Sequence, residues 1–174
     1  MEATIPYLLT AIGAACAVSL SCYGSAAASS MAASYSMACK GTMSHVPIII
    51  SGVLGIYGLI IGIILSSFFT KEDEIGTKQG CANLAAGLVV GLACYASGLG
   101  MEIFLGNSLY GEDYRARRQQ NKGLNGNTEP LLTKSDTFVP LREPYPITLK
   151  FVVQLVFLEA LGLYGLIVGL LFIG

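Results

Sequence analysis

The sequence predicts an all-α membrane protein with four transmembrane helices, arranged as two tandem helical hairpins. Its 174 residues are 53% hydrophobic and only 12% charged, too apolar a balance for a soluble domain of this size. Four stretches are apolar over the roughly 20 residues that a helix needs to cross a hydrocarbon core about 30 Å thick. An internal repeat relates the first pair of stretches to the second, and such self-similarity decides architecture before any finer feature. The net charge of −1 indicates no nucleic-acid partner and no strong surface field.

The first helix runs from Ile5 to about Ala38. An apolar run followed by Ala26, Ala27 and Ala28 has the outline of a signal peptide, but no Lys or Arg precedes it. The repeat also needs this segment, so it is kept as a mature helix. Gly13, Ala17, Ser21, Ser25 and Ser29 recur on it at four-residue spacing, which predicts a smooth face for close helix packing. The second helix, Val46 to Phe69, is rich in Ile, Leu and Val and reads as lipid-facing. A short polar connection, Thr70 to Gln79, carries Lys71, Glu72, Asp73 and Glu74. These charges are too costly for hydrocarbon, so the connection makes a tight hairpin and closes a first unit, residues 1–79.

The third helix, Gly80 to about Leu109, offers a second small-residue face in Gly87, Gly91, Cys94 and Gly98. A polar insertion over residues 110–145, punctuated by Pro130, Pro140 and Pro144, reads as a flexible loop. The fourth helix, Pro146 to Gly174, is again lipid-facing in composition and completes a second unit, residues 80–174. The small-residue faces place helices one and three in an inner layer and helices two and four outside. The same faces also suit a monomeric four-helix bundle.

Orientation follows from the basic residues. Eight of the ten Lys and Arg lie in or beside the first and third connections, and only Lys71 and Lys78 flank the second. The excess puts the first and third connections on the cytoplasmic side and both termini on the other.

The repeat is explicit in Gly55-Ile56-Tyr57-Gly58-Leu59-Ile60 against Gly162-Leu163-Tyr164-Gly165-Leu166-Ile167, an offset of 107 positions. Cys22-Tyr23-Gly24-Ser25 against Cys94-Tyr95-Ala96-Ser97 gives an offset of 72 for helices one and three. The difference falls in the third connection. With this alignment one acid in the middle of the fourth helix, Glu159, stands opposite Gly52, so the duplicated chain carries one acidic site.

An ionisable residue in a membrane helix is expensive and marks function by default. A carboxyl facing lipid is held in its neutral, protonated form, because hydrocarbon does not solvate charge; beside water or a cation it ionises. A carboxyl that alternates between those settings carries protons. Tyr57 and Tyr164 supply phenols near its depth, and Gly162 and Gly165 leave space beside it. The plainer role is hydrogen-bonded glue between helices. The five cysteines form no CxxC pair and read as small core residues, and His45 is the only histidine, so neither a metal cluster nor a nucleophilic site is indicated and no cofactor is expected.

The run Phe157-Leu158-Glu159-Ala160-Leu161-Gly162-Leu163-Tyr164-Gly165-Leu166-Ile167-Val168 resembles the last helix of the proteolipid subunit c of vacuolar-type proton ATPases. Ile56 to Ile60 resembles that family's second helix, and the Gly-rich Leu84 to Gly100 its third. The resemblance covers nearly the whole chain except the long loop. It implies a double hairpin assembling into a ring with other proteolipid copies, helices one and three lining the inside through Gly13, Ala17, Ser21, Ser25, Gly87, Gly91 and Gly98. It also implies that ATP hydrolysis in a separate soluble sector turns the ring against a stator subunit a, whose arginine discharges Glu159, with Tyr57, Tyr164, Gly52 and Gly162 in support. Rotor-stalk subunits on the cytoplasmic face, the lipid bilayer, and a vacuolar, lysosomal or other acidic endomembrane compartment follow from the same likeness. There is no hydrolytic site to expect in this chain.

The inserted loop departs from the family's usual short connection, and Glu102 stands where the family has a small residue. Glu102 reads as interfacial, or else as part of a proton path. Sodium-carrying relatives surround the acid with oxygen ligands, whereas the matching positions here are Val53 and Leu54; a proton is favoured over a metal cation, which would need several oxygens. A longer five-helix relative carries its acid at the position of Gly52, which favours the four-helix type. Two rival readings are a small four-helix proton-coupled antiporter, whose acid would lie on the first helix, and a structural four-helix protein.

Overall fold

Hydrocarbon offers no partner to a backbone N–H or C=O, so a long apolar run satisfies its own polar groups by forming a helix. The computed structural model describes residues 4–38, 42–69, 76–110 and 149–173. They form α1 (Thr4–Ala38), a short 3-10 turn (Thr42–His45), α2 (Val46–Ser67), α3 (Thr77–Tyr110) and α4 (Leu149–Ile173). All four long helices have the length and hydropathy to span a bilayer, so this is a four-helix membrane protein. Tyr110, expected to open the insertion, is the last residue of α3; Lys40, Lys71, the rest of the insertion at 111–145 and the expected first turn of α4 at 146–148 lie outside the described residues.

Local chemistry sets the ends. Pro47 occupies the first turn of α2, where a missing N–H costs nothing. Phe68 and Phe69 donate their N–H groups to the Leu65 and Ser66 carbonyls at 3.3 and 3.1 Å and turn the chain out of the helix, two residues before the expected end. α3 begins at Thr77 rather than Gly80, because Thr77, Lys78 and Gln79 are polar but helix-compatible and reach water at the membrane edge. The Gly80 N–H donates to the Gly76 carbonyl at 3.0 Å.

α1 and α3 run parallel and in register at the centre. A Cβ on Gly13 would stand 2.8 Å from the Asn83 carbonyl oxygen, and one on Gly24 2.6 Å from that of Cys94. A Cβ on Gly87 or Gly98 would fall on the backbone of Gly13 or Gly24 respectively. Only glycine permits backbones this close, which is how small residues replace the missing hydrophobic drive between membrane helices. α2 packs antiparallel to α1 and α4 antiparallel to α3, with α2 and α4 also touching each other.

The core divides into two apolar clusters. Tyr35, Leu105, Leu109, Phe151 and Leu155 fill one end, where the Tyr35 and Phe151 rings stack with centroids 5.2 Å apart. Ile61, Leu65, Val90, Cys94 and Leu166 fill the other. The outward surfaces of α2 and α4 expose Ile56, Ile63, Phe157, Leu171 and other large apolar side chains, as helices bathed in lipid do.

Candidate functional site

The two hairpins are fastened by the same contacts at repeat-related positions. Ser25 on α1 donates its hydroxyl to the Ser51 carbonyl on α2 at 2.9 Å, and Ser97 on α3 donates to the Leu158 carbonyl on α4. These pairs are separated by the offsets of 72 and 107 read from the sequence. Gly62 lies over Val18 and Ala14 of α1, and its counterpart Gly169 lies over Val90 and Ala86 of α3. α2 and α4 are thus held at one height on their inner partners, which brings the middle of one outer helix level with the middle of the other.

At that level the Tyr57 hydroxyl of α2 donates to Oε1 of Glu159 on α4 at 2.9 Å. Both side chains are half-buried. Gly162, one turn below the acid, makes this seam possible. A Cβ there would stand 2.6 Å from Cδ2 of Leu54 and 3.7 Å from the Tyr57 ring, so any larger residue would push Leu54 and Tyr57 away. The Ser97 bond to Leu158 anchors the backbone beside the acid. The arrangement fixes one carboxyl oxygen on a phenol at the α2–α4 seam, in the outer layer of the bundle.

The other residues singled out by sequence fall in three places. Gly52 is exposed with nothing within 4 Å of a Cβ built on it. Tyr164 is exposed on the outer face of α4, and Val53 beside Gly52 is half-buried. Glu102 is half-buried on α3. Of the small-residue faces, Gly13, Gly87 and Gly98 do line the α1–α3 contact, and Gly91 approaches Cys16 and Leu20 of α1. Ser21 and Ser25 turn instead toward α2, where Ser21 meets Gly58 and Ser25 bonds Ser51. Ala17 is buried, and its carbonyl lies beneath Gly58. Ser29 joins Ser51 through their hydroxyls at 2.9 Å.

Sequence reasoning missed a buried polar string across the inner helices. Asn83 Nδ2 donates to Thr10 Oγ1 at 3.2 Å, Thr10 donates onward to the Pro6 carbonyl at 2.9 Å, and Gln79 Nε2 donates to Asn83 Oδ1 at 3.3 Å. The string pins the register of α1 against α3 near their N-terminal ends. Among the described residues, no group of three His, Cys, Asp or Glu side chains is placed to hold a metal ion.

Fold and site together define a four-helix membrane protein with a carboxyl in the middle of its last helix bonded to a phenol. No family model matches the sequence. The chain is 30% identical to the V-type proton ATPase subunit c' of Candida glabrata over 91% of its own length and 83% of that protein. It is 29% identical to the human V-type proton ATPase 16 kDa proteolipid subunit c over 98% of its length and 87% of that protein. Against subunit c' of Eremothecium gossypii it is 30% identical over 74% of its length, a match spanning 60% of that relative. The chain belongs to the proteolipid subunits of V-type proton ATPases.

Proposed function

We propose that this chain is a proton-carrying proteolipid of a V-type ATPase rotor ring and that Glu159 is the carrier. The observation that supports this reading best is the Tyr57–Glu159 bond in the middle of the two outer helices, where a carboxyl is close to lipid on one side and held by its own chain on the other. Protonated, the group crosses hydrocarbon without the roughly 2.5–3.5 kcal/mol that a charge costs at the centre of a membrane helix. Beside an aqueous half-channel and the arginine of a stator subunit a it gives up its proton. The Tyr57 phenol then donates to the carboxylate and keeps it in one orientation until it is reprotonated.

In this reading α1 and α3 line the inside of a ring of proteolipid copies, and α2 and α4 face lipid and stator. The connections on the cytoplasmic side meet the rotor stalk, hydrolysis of ATP takes place in other subunits, and the product is an acidified vacuolar, lysosomal or similar compartment. The test is Glu159→Gln in cells that lack the native chain. ATP-driven acidification of isolated vesicles should fall to background while the complex assembles at normal levels; acidification at half the native rate or more overturns the assignment.

A further inference from the structure

A serine in an apolar helix can satisfy its hydroxyl on its own backbone, three or four residues back. Ser21, Ser30, Ser34 and Ser66 do so, donating to the carbonyls of Val18, Ala27, Ser30 and Ile63. Ser25 and Ser97 reach across to another helix instead, and they are related by the repeat, as are the carbonyls they meet. Those carbonyls belong to Ser51 and Leu158, so one bond ends beside Gly52 and the other beside Glu159. The chain holds the same clasp twice, once next to the glycine and once next to the acid.

The two clasps differ in how they are backed. Ser51 is fully buried, and its own hydroxyl meets that of Ser29 at 2.9 Å and donates to the Ile48 carbonyl at 2.9 Å. The first hairpin thus has a further polar tie at the same place. On the second hairpin the positions of Ser51 and Ser29 are taken by Leu158 and Met101, which have no hydroxyl. Ser97 is 1% exposed. The Leu158 carbonyl accepts the N–H four residues on, as any helical carbonyl does, and takes Ser97 on its second lone pair. The bond therefore adds little to the helix itself and acts on where α4 points. Further along α4, Gly165 over Ala93 and Gly169 over Val90 are apolar contacts, which have no direction and let a helix turn.

We infer that Ser97 is a positioning residue for the carrier: by tying the backbone at Leu158 to α3 it fixes the rotation of α4, so that the adjacent carboxyl meets Tyr57. The inference rests on the carrier reading given above and gives the inner helix α3 a part in it. A fixed carbonyl at Leu158 fixes the direction in which the next side chain, Glu159, leaves the helix. A side-chain tip lies about 5–6 Å from the helix axis, so a turn of about 20° moves it about 2 Å. That displacement breaks a hydrogen bond of 2.9 Å such as Tyr57–Glu159.

The repeat supplies the comparison. Ser97→Ala and Ser25→Ala remove the same hydroxyl from the same kind of clasp and differ in whether an acid stands beside it. In native membranes without ATP, Ser97→Ala should raise the rate of carbodiimide modification of Glu159 severalfold, because the carboxyl is no longer held on the phenol. Ser25→Ala should lower the Tm of the extracted chain without changing that rate. Per assembled complex, Ser97→Ala should slow ATP-driven acidification roughly threefold to fivefold, the weight of one hydrogen bond. Added to Tyr57→Phe it should cause no further loss, because both residues act on one carboxyl. A labelling rate raised equally by both serine variants would reduce Ser97 to packing and overturn the inference. So would a native labelling rate in Ser97→Ala, or losses that multiply in the double variant. Native acidification in Glu159→Gln overturns the carrier reading instead, and the labelling rates then still decide whether Ser97 positions the carboxyl. Where Ser97→Ala lowers the amount of assembled complex, Ser97→Cys, of similar volume and a weak donor, takes its place in the same comparisons.

Discussion

The hydroxyl of Tyr57 donates to Glu159 Oε1 across the α2–α4 seam at 2.9 Å, joining residues 102 positions apart in the chain. Removing the donor and keeping the ring isolates what the bond contributes. Tyr57→Phe should leave assembly intact and slow ATP-driven acidification roughly fivefold, as expected for a bond of about 1 kcal/mol. A native rate in reconstituted vesicles would show that the phenol does not position the carrier.

A carbodiimide reacts with a protonated carboxyl in an apolar setting, so it should modify Glu159 in preference to Glu102. Peptide mapping after labelling should find the adduct on α4. Labelling confined to Glu102 would move the carrier to α3.

Gly87 has its α-carbon against the backbone of Gly13, and no side chain fits between them. Gly87→Val should force the inner helices apart, with an overpacking cost of about 1–3 kcal/mol. It should appear as a lowered Tm of the detergent-extracted chain and a reduced amount of assembled complex. Gly76→Ala, at an exposed position between α2 and α3 with nothing within 4 Å, is the matched control and should change neither.

The four spans were legible because length and hydropathy alone decide them. The hairpin pairing was legible because two offsets recur in unrelated residue pairs; Ser25–Ser51 and Ser97–Leu158 obey both. The face of α1 was read less well. Residues spaced by four advance roughly 40° further round the helix with each step, since a turn takes 3.6 residues. Gly13 therefore meets α3 while Ser25 and Ser29 have rotated round to Ser51 on α2. The spacing that stays on one face over three turns is eleven, and Gly13 with Gly24, like Gly87 with Gly98, shows it. Thr10 and Asn83 were also visible as polar residues in apolar runs, but only their juxtaposition, 73 positions apart, reveals them as partners. The bond between Tyr57 and Glu159 needed the same three-dimensional information, although the sequence named both residues.

The glycine contacts between α1 and α3 have a mechanical meaning. In the proposed ring they would make the chain thin on the side toward the axis, while the Leu, Ile and Phe side chains of α2 and α4 would keep the lipid side thick, so that the subunit would act as a keystone. The taper of a keystone fixes how many complete a circle. In the proposed rotor that number is also the count of protons moved per revolution, so the spacing of two backbones at Gly13 and Gly24 would set the gear ratio of the motor.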